Sequence, residues 1–388
     1  MPCFEFHVSK TMIYANQNTQ PFLVKLFLVL FCFLAIGFLI WIGQDIIVPV
    51  AFATLLAILL LPFNNFLEKK MSRVWAISAS LSVSIFILVG LIYFLSVHIA
   101  GFVDDLPRIK SQLNHHIRTV QSWGYDQFHL TRKEQKQYID QATTQIQGKG
   151  GNGFLGQTLI TITNAIIFLI LLPIYTFLIL YYRNMIRKFL VSIFADHHRQ
   201  HVIAVIRESK LIVQGYMAGL MMEMGIITVI NYAGFLIVGI KYAFFLALLS
   251  AILNMIPYIG MLIATIVCML VTLITSNNIS DILLLIVVLT VVQFFDNNII
   301  MPKIVSSRVK INALITIFGV LVGGAVAGVS GMFLSIPAIA ILKVIFDRID
   351  SLKPWGEILG DDFTHIERGK FLKIAKLTLT RRKMAGIE

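Results

Sequence analysis

Charge is what this sequence has little of. Asp, Glu, Lys and Arg together make up 13% of its 388 residues, where a soluble protein carries about a quarter. Hydrophobic residues make up 57% and the mean hydropathy is +0.83. A water-soluble globule is thereby excluded, and the chain reads as an all-α, polytopic integral membrane protein. Cysteine is scarce too. Cys32 and Cys268 fall in apolar runs and Cys3 lies near the start, so no disulfide framework is visible. Walker sequences, a nucleotide-binding fold, a thiol–histidine pair and zinc-ligand spacing are all missing. The glycines between 319 and 331 follow no strand and open no phosphate loop. ATP-driven pumping by this chain alone is therefore not expected, nor is an enzyme, and no cofactor is implied. His115 and His116 read as solvated. His197 and His201 stand at helical spacing for a metal, but no third ligand accompanies them. The net charge of +12 sits in short loops and in the tail, which fits positive-inside topology rather than nucleic-acid binding.

What is present is a succession of long apolar runs. Residues 1–20 are polar and read as a cytoplasmic N-terminal segment. Residues 21–100 hold the first three transmembrane helices: Phe22–Gly43, Ile46–Leu67 and Val74–Ala100, each long enough for a hydrocarbon core of about 30 Å. The first is too long for a signal-peptide core and lacks a clear cleavage site, so it is expected to stay as an anchor. Gln44 and Asp45 read as a turn. Pro49 is expected in the first turn of the second span, and Pro62 to kink its far end. Residues 101–156 carry mixed charge and end in a glycine-rich link, as an extracytoplasmic helical insert would. Residues 157–346 form the transport core, and 347–388 a basic cytoplasmic tail. Within the core, 157–182 is a span and 183–210 reads as a basic amphipathic surface segment. Leu211–Ile240 is a fifth span with Glu223 inside it. Glu223 either faces a polar pathway or sits near the interface.

Two core segments are anomalous. Tyr242–Thr275 is apolar for about 34 residues, roughly 50 Å as one helix. Asn254 and Pro257 through Gly260 interrupt it near the middle. A second segment, near 311–345, is similar in length and carries Gly319, Gly323, Gly324, Gly328, Gly331 and Pro337. Both fit a broken helix or re-entrant hairpin better than a straight rod. Hairpins also keep the basic loop 303–310 and the tail on the cytoplasmic side with loop 68–73. About eight membrane segments result: six spans and two hairpins, the first opening outward and the second inward.

Between the hairpins lies the apolar run 282–302, closing on Gln293, Asp296, Asn297 and Asn298 before Pro302. Gln293, Asp296 and Asn297 share one helical face, and Asn298 points about 100° away. Pro302 is expected to end or kink this helix. An acid at membrane depth is costly unless it faces protein or water, which makes it a functional candidate. The plainer alternative is a solvated helix end. Asn254, Gln293, Asn297 and Asn298 offer donors and acceptors suited to the hydroxyls of a small polar solute. Asp296, with or without Glu223, can carry a coupling proton or Na⁺.

The order Ile256-Pro257-Tyr258-Ile259-Gly260, then Gln293-Phe294-Phe295-Asp296-Asn297 with Pro302, then Gly328 and Gly331-Met332-Phe333-Leu334-Ser335-Ile336-Pro337 resembles the autoinducer-2 exporter family, also called PerM-type permeases. The likeness takes in Pro49, the Leu61-Pro62 pair and the hydrophilic insert, so it covers most of the chain. It implies a multi-pass carrier of the bacterial inner membrane with cytoplasmic termini. It also implies homo-oligomers (pentamers), an elevator-like shift, and links to autoinducer-2 export and quorum sensing in some members and Na⁺/H⁺ antiport in others. Glu223 matches no motif of that family. The expected solute site is Asn254, Pro257, Gly260, Gln293, Asp296, Asn297, Asn298, Gly323 and Gly324, with Asp296 and Glu223 as ion-coupling residues. A Na⁺(Li⁺)/H⁺ antiporter on the same scaffold and a non-transporting scaffold or channel are the alternatives.

Overall fold

The computed structural model describes residues 22–104, 152–257, 259–276, 278–306 and 309–361. The expected N-terminal segment, all of the insert but its two ends, and the tail beyond 361 lie outside them. Every regular element among the described residues is helical. Six helices there are long and apolar enough to cross a membrane, accompanied by shorter apolar ones. The protein is thus an all-α, multi-pass membrane protein.

Two units make up the chain, residues 1–47 and 48–388. The first contains α1 (Phe22–Ile42). Gly43 bonds back to the Leu39 carbonyl and accepts from the amides of Ile46 and Ile47, so helical bonding carries through it and α2 (Gln44–Leu67) begins a residue later. The expected turn at Gln44 and Asp45 is therefore already helix. Pro49 consequently lies in the second turn, and α2 runs on through Pro62 to Leu67.

The second unit takes α2 onward through α3 (Arg73–Asp104), α4 (Asn152–Ser192) and α5 (Arg199–Val238). The surface segment expected at 183–210 is instead the end of α4, a 3₁₀ turn at Asp196–His198 and the start of α5. His197 thus precedes the helix that carries His201. No group of three or more metal-ligating side chains gathers among the described residues. A polar clamp ties the α2–α3 connection to α4. Arg183 bonds Glu68 at 2.6 Å and Asn65 at 3.1 Å, Asn64 donates to Glu68 at 2.8 Å, and Arg73 donates to the Leu180 carbonyl at 2.9 Å. Partial burial and shared partners make this stronger than an isolated surface ion pair.

Helix α5 ends on Gly239, whose φ of +81° is the left-handed conformation that glycine enters without penalty. Gly239 and Ile240 donate to Leu236 and Phe235, closing the last carbonyls. The chain then returns as the first interrupted segment, α6 (Ala243–Asn254) and α7 (Ile259–Thr275). Pro257 supplies no N–H and disfavours helix at the residue before it, so the backbone breaks there. Gly260 seals the bend: a Cβ on it would overlap the Leu253 carbonyl. Helix α8 (Ile279–Phe295) follows, but it does not stop at Pro302. It widens into two π-helical turns, Asp296–Ile300 and Pro302–Ser306.

The second interrupted segment, α9 (Ala313–Arg348), folds back at Ala327 and Gly328, where φ of +59° and ψ of −146° leave the helical region. Its arms pack backbone to backbone: a Cβ on Gly323 would overlap the Gly331 carbonyl, and one on Gly319 would overlap the Ile339 side chain. Residues twenty apart in a straight helix lie about 30 Å apart, so this is a hairpin. Both overlong segments are therefore helical hairpins, the first also held by the Cys268 thiol on the Leu246 carbonyl. At the base of α9, Asn312 accepts from the Ile315 amide through Oδ1 and donates through Nδ2 to the Ile358 and Gly360 carbonyls. It thereby fastens α10 (Lys353–Leu359) to the hairpin.

In a bilayer, helices gain little from burying apolar surface against one another, and close packing carries the association. Gly219 of α5 meets the Ile304 carbonyl, and a Cβ there would sit 2.9 Å from it. Leu55, Val213, Tyr216, Leu220, Val305 and Ile336 fill the core beside this contact.

Substituting Gly323→Val forces apart two backbones, an overpacking cost of about 1–3 kcal/mol. The expected result is a clear drop in melting temperature in detergent. Gly90→Ala, where a Cβ meets open space, is expected to leave the melting temperature unchanged.

Candidate functional site

The first hairpin's tip, the π-helical stretch and the middle of α5 converge. Glu223 lies 24 residues into α5, roughly 36 Å from its basic start. Asp296 opens the first π turn. A π turn adds a residue without adding a bond of its own, and such bulges gather at functional sites. Together these elements enclose a cavity of about 160 Å³ whose wall includes Glu223, Asn254, Pro257, Gln293, Asp296 and Asn297. That is about the volume of five water molecules.

Asp296 is 1% exposed and Glu223 6%. Asn254 donates to Asp296 Oδ2 at 2.8 Å, with the Gln293 amide at 3.5 Å from the same oxygen. Gln293 also donates to Asn297 Oδ1 at 3.1 Å. The shared face expected for Gln293, Asp296 and Asn297 is therefore present in spite of the π geometry. Asp296 Oδ1 takes no donor from the amides among the described residues. Glu223 lines the same small cavity as Asp296, and two carboxyls enclosed together are costly unless a proton or a small monovalent cation accompanies them. Glu223 thus faces the cavity rather than the interface, which decides between the two placements left open by the sequence.

Other expected site residues lie elsewhere. Asn298 is exposed and donates back to the Phe294 carbonyl at 2.7 Å, away from the cavity. Gly260, Gly323 and Gly324 are hairpin packing positions, Gly324 against Met332. They shape the site without lining it. Sequence reasoning missed Tyr216 and Thr316, which do line the cavity. Tyr216 stands seven residues before Glu223, two turns away on the same face of α5, and that spacing was the available signal.

A second cavity of about 450 Å³ adjoins the first on the Gly239 side of α5 and shares Asn254, Met261, Gln293 and Asn297 with it. Its further polar lining is Asn231, Ser250, Thr265 and Thr290.

Residues 30–351 match the family model described as AI-2E family transporter. Among individual proteins, YueF of Bacillus subtilis, provisionally named a transport protein, is 24% identical over 78% of this chain and 83% of its own. YrrI of Bacillus subtilis, provisionally named likewise, is 32% identical over a shorter stretch, 34% of this chain and 36% of its own. The Escherichia coli protein TqsA, named an AI-2 transport protein, is 24% identical over 82% of this chain and 90% of its own. The match over most of the chain identifies this protein, with its two helical hairpins and buried acid–amide cluster, as a member of the AI-2E family of membrane transporters.

Proposed function

We propose that the protein is a secondary exporter of a small polar metabolite such as autoinducer-2, working by an elevator-like shift of its hairpins. One observation carries this reading: two buried carboxyls and three amides line a cavity whose wall also holds the break of the first hairpin and the π-helical turns. Asn254, Gln293 and Asn297 keep hydrogen-bonding capacity beyond their mutual bonds, which suits hydroxyl groups. Pro257 at the tip and the glycine-packed second hairpin hold the wall in shape. Likeness to TqsA, itself named for AI-2 transport, supports that substrate class. Family membership supports a homo-oligomer in a bacterial inner membrane, and the basic loops support cytoplasmic termini.

The second reading is Na⁺(Li⁺)/H⁺ antiport. It is favoured by Glu223 and Asp296 lining one small cavity, with Asp296 Oδ1 left without a donor among the described residues.

In proteoliposomes, Asp296→Asn is expected to lower solute flux about tenfold or more, since it removes an ionisable group held at membrane depth. Asn298→Ala is expected to leave flux near wild type, because its side chain only returns to its own helix. Full flux in Asp296→Asn overturns the role of this acid. Dye-quench measurements separate the two readings. Antiport predicts a proton response to Na⁺ or Li⁺ that Glu223→Gln abolishes, and solute export without these ions predicts none.

A further inference from the structure

The basic stretch 183–210 folds as the end of α4 and the start of α5, and the two border an open groove of about 520 Å³. Arg187, Lys188 and Arg199 stand in its wall, with Asn184 and Ser192 as neutral polar neighbours. Val191 and Ile203 supply the apolar remainder. No Asp or Glu lines it among the described residues. The transport reading uses none of these cations.

These cations are accessible. Arg183, one turn before Arg187, is committed to Glu68 and Asn65. Arg187 and Lys188 are exposed and pair with no acid among the described residues. Arg199 pairs with Asp196 at 2.8 Å, but both side chains are half or more exposed, and such a pair is weak. Its guanidinium keeps further donors for a second anion. Depth points to what that anion is. The apolar run of α4 ends on Tyr181 and Tyr182, both exposed, an aromatic pair of the kind that marks a membrane–water boundary. Arg187 lies five residues beyond Tyr182, at most about 7.5 Å along the helix, which is the depth of the headgroup layer. Met185, Phe189 and Ile193 stand four apart on another face of α4, each more than half exposed. The helix end is therefore amphipathic, apolar along one face and cationic towards the groove. A free anion meets only the cationic face. A phospholipid meets both, its head in the groove and its acyl chains along Met185 and Phe189.

We infer that the groove between the end of α4 and the start of α5 binds the headgroup of an anionic phospholipid, a phosphodiester with a hydroxylated head such as phosphatidylglycerol. Arg187 and Arg199 offer planar forks suited to phosphate oxygens, and Lys188 a compact charge. Asn184 can both donate to and accept from the head's hydroxyls. Ser192 spends its own proton on the Phe189 carbonyl at 2.9 Å and so presents an acceptor. A zwitterionic lipid is a poorer occupant, because its ammonium finds cations and no acid in the wall. Openness suits this ligand, since a lipid head enters sideways from the membrane and keeps one side in water. The bound lipid bridges α4 to α5, the helix that carries Glu223, across the connection 193–198.

The test uses the purified full-length protein in a neutral detergent, with dioleoylphosphatidylglycerol or dioleoylphosphatidylcholine added. Native mass spectrometry counts the bound lipid, and the melting temperature is followed in parallel. Phosphatidylglycerol is expected to stay bound and to raise the melting temperature more than phosphatidylcholine does. The double change Arg187→Gln, Lys188→Gln is expected to weaken phosphatidylglycerol binding roughly twentyfold, about fivefold for each basic residue removed. Both side chains are exposed, so the fold is expected to tolerate it. Ser192→Asp keeps every cation but places an anion in the groove, and is expected to weaken binding as well. Lys69→Gln with Lys70→Gln takes the same charge from the α2–α3 connection and is expected to leave binding as in wild type. Equal retention of the two lipids by the wild-type protein overturns the site. So does wild-type binding in the Arg187, Lys188 variant, or an equal loss in the Lys69, Lys70 variant. Glycerol 1-phosphate in large excess is expected not to displace the lipid; displacement makes this a site for free phosphate esters and overturns the lipid assignment.

Discussion

The hydrocarbon interior offers a peptide group no water, and the rest of this structure follows from that. Every N–H and C=O there must bond within the protein or line a cavity. Ordinary helices meet the demand residue by residue. Among the described residues the helices break or widen at the Met255–Pro257 bend, the π turns after Phe295 and the fold-back at Ala327–Gly328. The first two lie in the wall of one cavity. Backbone that cannot complete a helix has been brought together with the side chains that cannot be solvated by lipid, and each excuses the other. Removing Pro257 or Asp296 from this picture would remove the reason for the opposite member.

Close approach makes the arrangement possible. The site needs α5, α8 and the first hairpin within side-chain reach, and glycine sits where they meet. Gly219 admits the Ile304 carbonyl and Gly234 admits Val288. Around these contacts the apolar core is conventional, with Leu246, Phe235 and Leu285 fully enclosed. Much of the outer surface is apolar as well. Phe86, Ile237 and Leu314 are among the most exposed, as expected of residues that meet lipid rather than water. In this protein burial and hydrophobicity are decoupled, and the informative buried residues are the polar ones.

That decoupling decides what was legible beforehand. The membrane class, the two hairpins and the shared face of Gln293, Asp296 and Asn297 followed from run length, interrupting residues and helical period. The sequence groups Glu223 with Asp296 for ion coupling but leaves its place in the cavity wall open, because the two lie on helices more than seventy positions apart and no local pattern joins them. The π widening was invisible for a different reason. Asp296–Ile300 itself has no residue that forbids an α turn, but Pro302 just beyond offers no N–H to the Asn298 carbonyl, and the helix widens where an end was expected. Boundaries near Gln44 and Ser192 shifted because polar residues there read as loops but sit on helix ends that reach past the apolar layer. Asn298 was expected among the site residues, yet its side chain turns back onto the Phe294 carbonyl. Gly323 and Gly324 were selected for the right segment, but they serve as the seam between its arms.

The knot at Asn312 has a mechanical meaning. One amide holds the first turn of the second hairpin and, with its other atoms, the carbonyls that close α10. The hairpin and that short helix are bound to move together, since Gly356 also packs on Asp347 and Gly360 on Lys343. A change in the path of α10 would therefore be felt at the base of the hairpin, and the reverse.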